Sequence, residues 1–139
     1  AAGLLAGFAA AGLPSRVLAL SVQQPKDFIT PLILRRAEEA LQLLGLPATI
    51  DPSRLVVEDR FIGAGYGLAT EGSLSALRLA GETAGLLLDP AYSGKALHGL
   101  IALLADGAIG PDERTIFVHT GGAPGLFARS AEVAEALAS

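Results

Sequence analysis

The feature that most restricts the fold is a set of short apolar runs that do not alternate with polar residues. VLALSV (17–22), RLVVED (54–59), LLLDP (86–90) and RTIFVHT (114–120) recur along the chain. A strand with one wet face alternates apolar and polar side chains. A run that is apolar at consecutive positions expects cover on both faces, the habit of a parallel sheet. Parallel neighbours need a long crossover, usually a helix, and helical patterns fill the gaps. Residues 1–12 are small and apolar on every side, as a helix packed against a sheet would be. LPSR breaks that stretch. Residues 27–44 are amphipathic, with Phe28, Leu32, Leu41 and Leu44 on one side. Arg35, Arg36, Glu38 and Glu39 form helix-spaced charges on the other, and Gly45 and Pro47 stop the helix. Ser73 is expected to cap a helix running through Thr83, with Leu74, Leu77 and Ala84 in register. SGKALHGLIALLADG reads as a helix closed by Gly107, and residues 130–139 as a terminal helix. The expected fold class is α/β: a parallel sheet with helices on both faces and right-handed crossovers, in one segment spanning 1–139.

A chain of 139 residues is long enough to bury a core. At 51% hydrophobic and 17% charged it is not a disordered tail. Its formal net charge of −4, without a Lys/Arg cluster, argues against a nucleic-acid footprint. With no cysteine there is no disulfide framework and no thiolate zinc site, which matches a reducing cytosol. AAGLLAGFAAAGLP lacks the basic start of a signal peptide and is shorter than the ~20 residues a membrane span needs. A cytoplasmic location, away from any membrane, is the expectation. The first residue is alanine and there is no methionine, so a piece of a longer chain is expected.

Several motifs compete for a chemical meaning. GAGYGLA after a strand invites a dinucleotide-binding reading, with Asp89 roughly the right distance on to hold a ribose. The pattern fails in detail: Gly63 and Gly65 fit, but Leu68 stands at the third glycine position and TEGS intervenes before the helix. The two tyrosines tell more. Tyr66 lies between Gly65 and Gly67, and Tyr92 lies in DPAYSGK. Two phenols on turns could flank a flat ring and offer proton-transferring hydroxyls; equally, they could be ordinary half-buried tyrosines. Lys95 reads as a solvated lysine and His98 as a satisfied helix histidine. His119 could stand beside a site, but one imidazole alone makes no metal site. Glu71 and Asp89 read as caps rather than site carboxylates.

Longer stretches carry a family resemblance. YGLATEG, LLDPAYSGKALHGLI and HTGGAPGLFA resemble, in order and spacing, the C-terminal half of the D-cysteine desulfhydrase and aminocyclopropane-carboxylate deaminase family. That family shares the fold of the tryptophan synthase β-subunit and uses pyridoxal phosphate. The resemblance extends over essentially the whole chain, since the opening helix and strand resemble those that follow the family's phosphate-binding glycine loop.

The resemblance implies a PLP-dependent lyase acting on a small amino acid, commonly as a homodimer. It implies that the Schiff-base lysine and most phosphate-binding residues belong to an absent N-terminal half, so the isolated chain is expected to be inactive. Lys26 and Lys95 do not match the Schiff-base position. Tyr66 and Tyr92 match active-site tyrosines, implying a catalytic role. Thr120 matches the residue near the pyridine nitrogen, Gly121 with Gly122 leaves room for the ring, and Ser93 lies close to the cofactor. The deaminase pattern has glutamate where Ser93 stands and an apolar residue where Thr120 stands. Both departures favour the desulfhydrase side, releasing pyruvate, ammonia and sulfide. Aminocyclopropane-carboxylate deaminase and cysteate sulfo-lyase activities remain alternatives within the family, and a non-catalytic α/β ligand-binding or interaction domain remains one outside it.

Overall fold

The computed structural model describes residues 1–138. The chain forms two compact units, Ala1–Asp59 and a second that starts at Arg60. It is an α/β protein whose strands run parallel.

In the first unit, α1 (Ala2–Ala10) leads to β1 (Val17–Leu20). The long α2 (Lys26–Leu43) and a single 3-10 turn (Pro52–Arg54) follow, and β2 (Leu55–Glu58) closes the unit. β1 and β2 pair in parallel, with Val17 opposite Leu55 and Leu18 opposite Val56. Side chains alternate across a strand, so Val17, Ala19, Leu55 and Val57 share one face. That face packs on Leu5 and Ala6 of α1 and on Ala37 and Leu41 of α2. Leu18, Leu20 and Val56 lie on the other face, outside this core, and Val56 is 42% exposed. The expected cover on both faces is therefore met on one face within this unit. Asp59, just past β2, accepts a 2.7 Å hydrogen bond from the Lys26 N–H. A carboxylate there complements the positive end of α2.

The second unit holds α3 (Glu71–Ala84), α4 (Ser93–Ala105), α5 (Ala123–Ala128) and α6 (Ser130–Ala138). Leu77 and Ala80 of α3, Leu88, and Val133 of α6 form its core, with Phe117 and Leu126 packed alongside. The expected helices are present within about three residues; the last was expected to reach Ser139, which lies outside the described residues. α5 was not expected, because Pro124 and Gly125 look like breakers; Pro124 falls in the first turn, where its missing N–H costs nothing.

Two expectations need correction here. Segment 114–120 was expected as a strand, and 86–90 as a short buried run, of which Leu88 and Asp89 are buried while Leu86 and Leu87 are exposed. Among the described residues the sheet consists of β1 and β2 alone. The two segments do meet, since the His119 ring nitrogen Nε2 lies 3.1 Å from the Leu87 carbonyl. A ladder needs repeated backbone pairing and a covered face, and Ile116 is 80% exposed. Second, the cap of α3 is Thr70, not Ser73. The Thr70 hydroxyl accepts from the Ser73 N–H at 3.1 Å, while the Ser73 hydroxyl accepts from the Thr70 N–H at 2.9 Å. Ser73 thus takes the reciprocal position that glutamate or glutamine usually fills. Glu71 stands in the first turn, where the helix dipole favours a negative charge.

Candidate functional site: a tyrosine pair held by buried polar residues

The site grows from the turn ahead of α4. Asp89 is 1% exposed, and its carboxylate acts only as an acceptor. One carboxylate oxygen takes the N–H groups of Ala91 (2.9 Å) and Tyr92 (2.8 Å). The other takes the Ser93 N–H (2.9 Å) and its hydroxyl (2.7 Å). Asp89 therefore closes the turn that presents Tyr92, in keeping with the cap reading. Burial works to raise its pKa, but the bonds from Ser93, Tyr92 and Ala91 outweigh burial and hold the carboxyl below the usual carboxylate range. Gly94 is obligatory at the next step: a Cβ there would stand 2.7 Å from the Asp89 carbonyl and 2.9 Å from that of Ser73.

Tyr66 comes from the glycine-rich loop that precedes α3. Its hydroxyl is hydrogen-bonded to the Tyr92 hydroxyl, and the rings meet edge to face with centroids 5.9 Å apart. The hydrogen bond to Tyr66 pushes the Tyr92 phenol above the ordinary tyrosine value, with burial and the neighbouring charges of Tyr66 and Asp89 adding to it. The two tyrosines that the sequence singles out are thus brought together, both with half-exposed rings.

Lys95 contradicts its expectation as a solvated lysine. It is 0% exposed. Its Nζ donates to the carbonyls of Ile62 at 2.6 Å and Gly65 at 3.2 Å, both in the tyrosine loop. Burial, and then the charge of Arg129, push its pKa down. The loop residues it grips lie some thirty positions upstream, so no local pattern could reveal the burial.

The HTGGAPG segment approaches the same turn. A Cβ on Gly122 would stand 2.3 Å from an Asp89 carboxylate oxygen, and the residue has φ +118, so the close approach and the backbone both demand glycine. The space at Gly122 is thus filled by Asp89, whereas a Cβ on Gly121 would meet nothing within 4 Å. His119 accepts from the Gly121 N–H through Nδ1 at 3.1 Å, which leaves Nε2 to donate to Leu87. Thr120 is exposed, and among the described residues nothing bonds its hydroxyl. Ser93 is different: it is buried, and its hydroxyl both donates to the Asp89 carboxylate and accepts from the Asp89 N–H at 2.9 Å. His98 packs edge to face on Phe61, with ring centroids 5.1 Å apart, as a packed helix histidine.

The turn capped by the buried Asp89 carboxylate and the phenol pair that it presents form the candidate site. Residues 1–121 match the family described as pyridoxal-phosphate dependent enzymes, and the chain belongs to that family. It is 36% identical over 134 residues to the 1-aminocyclopropane-1-carboxylate deaminase of Burkholderia multivorans, covering 96% of this chain and 40% of that protein. It is 34% identical over 130 residues to a probable 1-aminocyclopropane-1-carboxylate deaminase of Schizosaccharomyces pombe, covering 94% and 38%. A crystal structure of an ACC deaminase homologue superposes with a TM-score of 0.82 at 30% identity, over 97% of this chain and 40% of that one. The chain spans about two-fifths of the length of these relatives. Pyridoxal phosphate is the cofactor of the family. No helix among the described residues is long and apolar enough to cross a membrane.

Proposed function

We propose that this chain forms one wall of the active site of a PLP-dependent lyase that eliminates from the β-carbon of a small amino acid. The preferred substrate is D-cysteine, which with one water gives pyruvate, ammonia and sulfide. The observation that carries the reading is the meeting of the Tyr66 and Tyr92 hydroxyls on the turn that Asp89 closes and that Gly122 approaches. Paired neutral phenols on a turn suit the edge of a flat heterocycle, so these residues fit the cofactor.

When bound, pyridoxal phosphate supplies an electron sink for the carbon that loses its proton. In this reading Thr120 would hold the pyridine nitrogen through a neutral hydroxyl, which would not force a proton onto it. Tyr92, with its phenol raised, stays protonated near neutrality and serves as a proton holder rather than a base. Tyr66 shares that proton through the hydroxyl pair. Ser93 acts from below, by fixing Asp89 and with it the turn carrying Tyr92. The lysine that bonds the cofactor and the phosphate-binding residues come from the part of the longer relatives that this chain does not span, and the complete enzyme is a cytoplasmic homodimer.

The second reading is opening of aminocyclopropane-carboxylate, favoured by the names of the relatives. Against it stand Ser93, whose hydroxyl is committed to Asp89, and Thr120, which is polar. The test is kcat/KM in the full-length protein for D-cysteine, aminocyclopropane-carboxylate and cysteate. The expected order puts D-cysteine first. A clear preference for the cyclopropane overturns the branch, and a preference for cysteate changes the leaving group.

A further inference from the structure

A glycine-rich loop has few side chains to pack and a large conformational freedom to lose. The segment around Tyr66 holds Gly63, Gly65 and Gly67 within five residues. Left to itself it would not hold a phenol in one position, yet Tyr66 meets Tyr92 hydroxyl to hydroxyl. Something outside the loop must fix it.

The search for that anchor leads to a buried cation that the proposed chemistry does not use. Lys95 sits in the first turn of α4, three residues after Tyr92, with its side chain fully enclosed. Burying an amine is costly unless its donors are used, and this one spends two of them on carbonyls of a single loop, Ile62 and Gly65. Those carbonyls bracket the approach to Tyr66. The same helix start therefore carries one phenol on its preceding turn and grips the loop that carries the other. Arg129 also reaches the loop, 3.4 Å from where a Cβ on Gly67 would be, with Glu132 as its ion-pair partner at 3.6 Å. Asp89 is the charge beneath Tyr92.

We propose that Lys95 is a positioning residue that clasps the glycine loop by the carbonyls of Ile62 and Gly65 and so holds the Tyr66 hydroxyl against that of Tyr92. Its importance to catalysis rests on the reading of the two tyrosines as site residues, but the geometry it sets does not depend on which amino acid is the substrate.

The chain offers a direct readout, because it has two tyrosines and no tryptophan. Phenolate absorbance at 295 nm therefore reports Tyr66 and Tyr92 alone. In the wild-type chain, part of that absorbance should appear only above the ordinary tyrosine range of about 10, with the far-UV circular dichroism still helical. A single ordinary step in a folded chain would remove the pair and the proposal with it. In Lys95→Met that upper part should be lost while the helices persist; a folded Lys95→Met that keeps it overturns the clasp. If Lys95→Met does not fold, Lys95→Gln is judged by the same criterion, since its amide is one bond shorter and cannot span both carbonyls. Leu103→Ala, a buried position later on the same helix, should lower the melting temperature and leave the upper step in place. A change of preferred substrate in the full-length enzyme leaves all these titrations unchanged, so failure of the functional reading and failure of the clasp are separate results.

Discussion

The two units of the chain are stabilised in different ways. Every buried core residue of the first unit is apolar: leucine, alanine or valine. The buried polar and charged residues described, Ser73, Asp89, Ser93 and Lys95, all belong to the second. Apolar packing tolerates exchange when volume is kept. A buried polar group fails sharply when its partner goes, because what remains is unsatisfied. In the proposed reading, the contrast separates scaffold from site. A stretch that needs only to be folded can be built from Leu41 and Val17, whereas one that must hold two phenols at a fixed separation keeps polar groups inside and satisfies each of them.

The largest break in that contrast is expected from Asp89→Ala. It removes the acceptor for three backbone N–H groups and a hydroxyl, and should cost roughly 2–4 kcal/mol, measured by denaturant unfolding. The pH dependence has a definite sign. A depressed carboxyl contributes its full stability above the unfolded value, about 4, and loses it as pH falls through the folded value. The gap in melting temperature between wild type and Asp89→Ala should therefore close in strong acid; a gap constant with pH would assign Asp89 to packing alone.

Thr120→Val comes next. In the full-length enzyme it keeps shape and removes the hydroxyl, and kcat should fall roughly ten- to a hundredfold, the effect of one polar partner left unsatisfied. Cofactor affinity should change less. Near-wild-type turnover in a folded, cofactor-loaded variant would reduce Thr120 to the end of a segment.

Thr70→Ala removes one half of the reciprocal cap on α3 and should cost about 1 kcal/mol, read from the denaturant midpoint. This cap is made of neutral hydroxyls, so its loss should not vary with acid pH, unlike that of Asp89. The smallest effect belongs to the first unit's surface. The Arg36–Glu39 pair at 2.7 Å is exposed, and Arg36→Ala should change stability by no more than about 0.5 kcal/mol. A larger loss would mean that charge supports the first unit too.

The helices were legible because their signals are local. Charge spacing and Gly45 delimit α2, and Gly107 ends α4. β1 and β2 were legible as apolar runs joined by one crossover helix. The tyrosine pair could be anticipated because two lone phenols on turns are conspicuous in a chain so poor in aromatic residues. The parts that were missed depend on distant partners. Lys95 looks like any lysine until carbonyls from Ile62 and Gly65 arrive. Segments 86–90 and 114–120 have strand composition, but pairing is a property of neighbours, not of a run. Thr70 and Ser73 both suit a cap, and composition does not say which hydroxyl takes which end of a reciprocal pair.

The enclosure of Lys95 also bears on reactivity and motion. The chain has two lysines, and Lys26 is exposed. An acylating reagent should modify Lys26 and the terminal amine at once, and Lys95 only when the glycine loop lifts away. The delay at Lys95 is then a clock for that lifting. Mass spectrometry of a timed reaction would read how often the tyrosine loop opens, a rate that no static distance contains.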